Sequence, residues 1–228
     1  IMEYAPRTRI CELTLNKSYD GMYVLIEKIK RDKNRVDIAK NKDVKVNGAF
    51  IFKFDRLEDG HWLESHEYPS DWLDHKEYLT TASGLKVQYE YPDFDEINDD
   101  TELITYFTMI ENTINNGSLE YIDVDSFKKY VCCQELAANI DAYRLSTYMY
   151  KKEDDNKLYF GPVWDFNIAY DNCNYGFLNS EGFIITNSNN NSHANNQANR
   201  FFNKIYQLCK NDVAEYFKSS NIFTYEYI

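Results

Sequence analysis

The chain has 228 residues, long enough to bury one substantial core or two lobes sharing a cleft and too short for several independent domains. With 25 basic against 37 acidic side chains, a net charge of −12, its field repels nucleic-acid phosphate and anionic membrane surfaces and favours a basic partner. Apolar residues at 43% and aromatics at 16% exclude a disordered chain, and no apolar run approaches the roughly 20 residues that insert across a bilayer.

The first 92 residues read mainly as strands. IMEYAPRTR is not a signal peptide, and the abrupt opening at Glu3-Tyr4-Ala5-Pro6 predicts that part of the first lobe precedes this chain. ICELTLN (10–16) alternates, KSYDG (17–21) supplies a turn at Asp20-Gly21, and MYVLIEKIK (22–30) returns, predicting a hairpin. KIKRDKNR (28–35) is the nearest thing to a basic patch and reads as a solvated hairpin end. Asn47-Gly48 launches AFIFKFD (49–55), where Phe50, Phe52 and Phe54 share one face and Ile51 and Lys53 the other. Residues 56–83, with Trp62 and Trp72, have no clear period; LKVQYEYP (85–92) is a strand ended by Pro92.

From Asp93 the period becomes helical. ELITYFTMIENTINNG (102–117) has an acidic start and a glycine stop, and the stretch from Asp123 to Tyr150 begins as a capped helix that breaks near Asn139 into an extended STYMYKK. EDDN (153–156) turns into a strand, LYFGPVWDF. An asparagine-rich loop (187–199) precedes a last helical stretch, 199–217. Cys11, Cys132, Cys133, Cys173 and Cys209 are odd in number and lack CxxC spacing, so they read as thiols rather than a disulfide framework or a zinc site. Asn16, Asn116 and Asn190 each open a glycosylation-type triplet.

The order of polar residues carries the chemistry. A lysine inside an early strand, then an aspartate after the second helix, Asp141, then an aspartate after an apolar run, Asp165, is the order that phosphoryl transfer uses. That chemistry needs a cation on the phosphates, an acid at the acceptor hydroxyl and a carboxylate on the metal. Asp165 reads either as a magnesium ligand, with Asn167 offering an amide oxygen, or as a cap on a turn.

YAPRTRICELTLNKSYDGMYVLIEKIKRDKNRVDIAK, GAFIFKFDR, LKVQYEYP, NIDAYRLSTYMYKK and GPVWDFNIAYDN together resemble the CotH kinase family, named for spore coat protein H. The resemblance implies an α+β, atypical protein-kinase-like two-lobed fold: one domain over 1–228, with a sheet-rich first lobe (1–92) and a mainly helical second (93–228). It implies an enzyme that moves the γ-phosphate of ATP, with Mg²⁺ or Mn²⁺, onto Ser or Thr of a secreted, cell-surface or spore-coat protein. Lys53 then stands on the phosphates, Asp141 at the acceptor hydroxyl, and Asp165 at the metal. Glu27 matches a family glutamate that either holds Lys53 or is an edge-strand surface charge, and Glu90 and Tyr91 would face adenine. No glycine-rich loop precedes Lys53; Ser146 stands where ordinary kinases place a metal-binding asparagine, and Asn167 replaces a second acid. The alternative reading is a non-catalytic surface or coat module that binds a protein or a glycan. Hydrolysis of a glycoside by paired carboxylates fits less well, because nothing isolates two acids for it.

Overall fold

The structure, a computed structural model, describes residues 2–56, 77–173, 182–186 and 197–220. Trp62, Trp72 and most of the asparagine-rich loop lie outside the described residues.

The strands are β1 (Thr8–Leu15), β2 (Ser18–Ile26), β3 (Phe50–Phe54), β4 (Tyr78–Thr80), β5 (Lys86–Tyr91), β6 (Thr147–Lys151) and β7 (Leu158–Phe160). The helices are α1 (Thr101–Asn115), α2 (Val124–Leu136) and α3 (Gln197–Ser219). β1 and β2 form the expected hairpin, but the chain reverses at Asn16-Lys17 rather than at Asp20-Gly21. Both turn residues adopt left-handed φ, 49° and 68°, the geometry that matches strand twist in a two-residue loop. Gly21, at φ 128°, instead lies beside the register shift at Leu13/Thr14.

The other five strands make one antiparallel sheet in the order β4-β5-β3-β6-β7. The alternation in AFIFKFD now has a physical reading. Phe50, Phe52 and Phe54 enter the main core, where Phe52 meets Phe107 of α1 edge to face and Phe54 meets Phe201 and Phe202 of α3. Ile51 enters a second cluster with Ile29, Val36, Ile38, Tyr148 and Tyr150 on the opposite face. The sheet is therefore covered on both sides.

α2 begins where Asp123 accepts the Ser126 N–H at 2.7 Å, and it stops at Leu136, close to the break expected at Asn139. β7 ends at Phe160, five residues short of Asp165; Gly161-Pro162, a cis bond, takes the chain out of the sheet. β6 and β7 lie beyond residue 92, yet β6 pairs onto β3 and β7 onto β6, so the sheet-rich first part and the helix-rich second part meet inside one sheet.

Candidate functional site

The mid-strand lysine finds its counter-ion on the next strand. Lys53 Nζ stands 2.9 Å from Glu90 Oε2 on β5, with the two side chains only 23% and 14% exposed. Glu27 is elsewhere. Its carboxylate accepts from Arg7 Nη2 at 2.7 Å and from the Arg7 N–H at 3.1 Å, which holds its pKa down to about 2, and it also accepts from Tyr4 Oη at 3.3 Å. Of the two readings of Glu27, the partner of Lys53 is thus replaced by Glu90, because the register of β3 on β5 brings Glu90 alongside while the hairpin turns its edge towards the N-terminal arm.

Two residues past Lys53 on the same face, Asp55 accepts the backbone N–H groups of Arg56, at 2.8 Å, and of Ser146. Burial pushes its carboxyl up, and the neighbouring Asp165 charge pushes the same way. Across the β3–β6 pair Lys53 faces Tyr148, whose hydroxyl is raised by burial and by the fields of Glu90, Asp55 and Asp165. These groups surround one end of β3.

Asp141 and Asp165 arrive at that end from two loops. Asp141 closes the turn after α2: Arg144 Nη2 donates to its Oδ1 at 2.6 Å, and Asn139 Oδ1 accepts its N–H at 3.3 Å. Burial raises the Asp141 carboxyl, Arg144 and Arg56 oppose the rise, and Asp165 and Asp55 add to it as like charges. Asp165 takes φ 57° and accepts the Ser146 hydroxyl on Oδ2 at 3.4 Å; Ser146 itself sits at φ 48°. Two non-glycine residues held in left-handed backbone at one contact are the kind of local strain that functional sites retain.

The structure thus brings Lys53, Glu90, Asp55, Asp141, Ser146 and Asp165 to one end of the sheet and leaves Glu27 out. Asn167 is exposed two residues past Asp165, and its engaged atom is the backbone carbonyl, which accepts Asn172 Nδ2 at 2.7 Å. Tyr91 turns its hydroxyl to the Asn41 N–H, 2.9 Å away, and carries the Arg31 guanidinium over its ring. It lines an open cleft of about 540 Å³ with Lys40, Lys42, Glu96 and Asp99. A separate cavity of about 200 Å³ lies between the N-terminal arm and β7, lined by Tyr4, Arg35, Asp37, Asp123, Tyr150 and Tyr159, and none of the acids at the end of β3 enters it. Asp55, Arg56 and Arg144 escape a reading by sequence order. Asp55 lies two residues from Lys53 and shares its face, which is the signal that could have found it.

Among the described residues no three His, Cys, Asp or Glu side chains form a ready cation cage. The oxygen donors that touch are the Asp165 carboxylate and the Ser146 hydroxyl.

An α+β protein with an ion-paired strand lysine beside a group of acids at one end of its sheet is the class that fold and site define. The chain belongs to the CotH kinase protein family, whose model matches residues 1–225. No curated protein and no solved structure matches it.

Proposed function

We propose that the chain is a metal-dependent protein kinase that transfers the γ-phosphoryl group of ATP to a Ser or Thr hydroxyl of a protein partner. The observation that carries this reading is the convergence of the Lys53–Glu90 pair with Asp141 and the Asp165–Ser146 contact at one end of the sheet. In this reading the chain is one kinase-like domain: its sheet-rich part brings Lys53, its helical part brings Asp141 and Asp165, and adenine lies towards Glu90 and Tyr91.

The acceptor oxygen attacks the γ-phosphorus, the bond to the β–γ bridging oxygen breaks, and ADP leaves. Asp141 takes the hydroxyl proton; Arg144 fixes one carboxylate oxygen, and the raised affinity of a buried carboxyl for protons suits the other to this task. Lys53, held by Glu90, neutralises phosphate charge that grows in the transition state. Asp165 and Ser146, with Asn167 two residues further on, would hold Mg²⁺ or Mn²⁺, which would supply neutralisation of phosphate charge. The net charge of −12 favours a basic acceptor protein, and by family the place of action is a secreted, surface or spore-coat setting.

The test is transfer of labelled γ-phosphate to a basic Ser-rich peptide with Mg²⁺ or Mn²⁺. Asp165→Ala should abolish label, and Glu90→Gln should lower it about tenfold. Glu27→Gln should stay within about twofold of the parent, since its partner is Arg7. Absence of label from the parent protein, together with failure to bind Mg-ATP, would favour the non-catalytic surface module instead.

A further inference from the structure

The last turn of α2 grips the Asp141 loop from both sides. Glu135 Oε1 accepts the Tyr143 hydroxyl at 2.6 Å and the Ile185 N–H at 3.0 Å, while its Oε2 accepts the Ile184 N–H at 2.6 Å. The preceding residue, buried Gln134, accepts Asn139 Nδ2 on its side-chain oxygen at 2.9 Å and the Asn139 N–H on its backbone carbonyl at 3.1 Å. Asn139 in turn accepts the Asp141 N–H. Residues 139 and 143, two positions on either side of Asp141, are thus both tied to adjacent residues of one rigid helix.

Three features separate this arrangement from ordinary packing. All three partners of Glu135 are donors and none carries a charge, so among the described residues this carboxylate has hydrogen bonds and no ion pair. Glu135 is half-buried, and drawing a carboxylate even partly out of water without a counter-ion is costly unless its hydrogen bonds are complete. Tyr143, wholly buried, is held at φ 69°, a conformation that needs outside support in a non-glycine residue. And the same carboxylate caps the short turn Ile184–Thr186, whose Ile185 carbonyl accepts Asn203 Nδ2 of α3 at 2.6 Å. One side chain joins α2, the Asp141 loop and a turn anchored on α3.

We propose that Glu135 is a positioning residue, a three-donor clamp that fixes the Asp141–Ser146 loop in its reactive geometry and couples it to the turn at residues 184–186. It touches neither nucleotide nor acceptor. Its catalytic half rests on the phosphoryl-transfer reading; its structural half does not.

The experiment compares the parent protein with Glu135→Gln, which keeps the shape but turns one acceptor oxygen into a donor against a donor. Amide hydrogen exchange and steady-state transfer are measured on the same folded samples. The clamp predicts exchange of the amides in 141–146 and at Ile184 and Ile185 faster by about tenfold or more. It also predicts a kcat lower by about tenfold to a hundredfold, with KM for ATP within about twofold. Unchanged exchange in 141–146 overturns the clamp whatever the activity, and faster exchange with unchanged kcat overturns its role in positioning. If the parent protein transfers no phosphate, the phosphoryl-transfer reading fails on its own, and faster exchange in the variant still supports the clamp. Should Glu135→Gln fail to fold, Tyr143→Phe removes only the donor hydroxyl and is read in the same way.

Discussion

Single residues show where the site works against stability. Burial raises the pKa of the Asp55 carboxyl from its ordinary value, so the folded state holds its proton more tightly than the unfolded chain does. Its contribution to stability is therefore whole below the unfolded pKa, roughly 3.9, and is lost as pH rises through the raised folded value. Asp55→Asn keeps an oxygen for the Arg56 and Ser146 N–H groups and removes the buried charge. In urea titrations the variant should be more stable than the parent at pH 7 by about 0.5 kcal/mol, a figure reduced for partial solvent screening, and the gap should close by pH 4. A constant gap across that range would place the effect in packing rather than charge. Asp141 is raised by the same cause but is a poorer probe, because removing its charge also breaks the 2.6 Å ion pair with the nearly buried Arg144. Lys151 shows the cost in the other sign. Its side chain is buried against backbone carbonyls of Gly48 and Lys152, both 3.2 Å away, and burial lowers its pKa. Sequence reading assigns it to a strand and cannot see that the alternation has placed an ammonium inside, since β6 is buried at every position.

At the level of elements, the strongly periodic segments were legible and the turns less so. α1, α2 and the strand with three alternating phenylalanines follow from spacing alone, because a buried face dictates the period. The hairpin turn was misplaced because Asp-Gly is the stronger short-range signal, whereas the actual reversal puts Asn16 and Lys17 in left-handed backbone. Asn tolerates that region; Lys does not. Lys17→Gly should thus stabilise the hairpin by about 0.5 kcal/mol, read as slower exchange of the paired amides of β1 and β2. The hairpin is solvent-exposed along both strands, with Ile10 at 68% and Leu25 at 65%, and among the described residues it pairs with neither edge of the five-stranded sheet. The global urea midpoint should therefore stay where it is, and a midpoint that moves with the exchange rates would mean the hairpin folds as part of the main sheet.

The whole molecule is held by pairings that no local pattern announces. β3 and β6 are about a hundred residues apart in sequence, and their register is what carries Lys53 to the loops of Asp141 and Asp165. Lys53, Asp141 and Asp165 can be picked out in order along the chain, and the structure brings them to one end of the sheet; Glu90 as the lysine partner cannot be read that way, since a carboxylate on a neighbouring strand has no fixed sequence spacing. The same holds for Phe202. It reads as one apolar position of a late helix, yet its ring, fully buried, meets Phe54 of β3, Phe127 and Tyr130 of α2, Phe160 of β7 and Tyr143 of the Asp141 loop at centroid distances of 5.3 to 6.2 Å. Truncating a ring at such a junction removes contacts from five directions at once, and the surrounding elements belong to a sheet and helices that cannot all close on the gap. Phe202→Ala should cost about 3–5 kcal/mol in urea unfolding. Because Tyr143 loses its neighbour while keeping its bond to Glu135, exchange in residues 141–146 should rise only as much as global stability falls. A variant that lost less than about 1 kcal/mol would show that α3 can shift to refill the space, and that the aromatic junction is not what binds the sheet to the loop of Asp141.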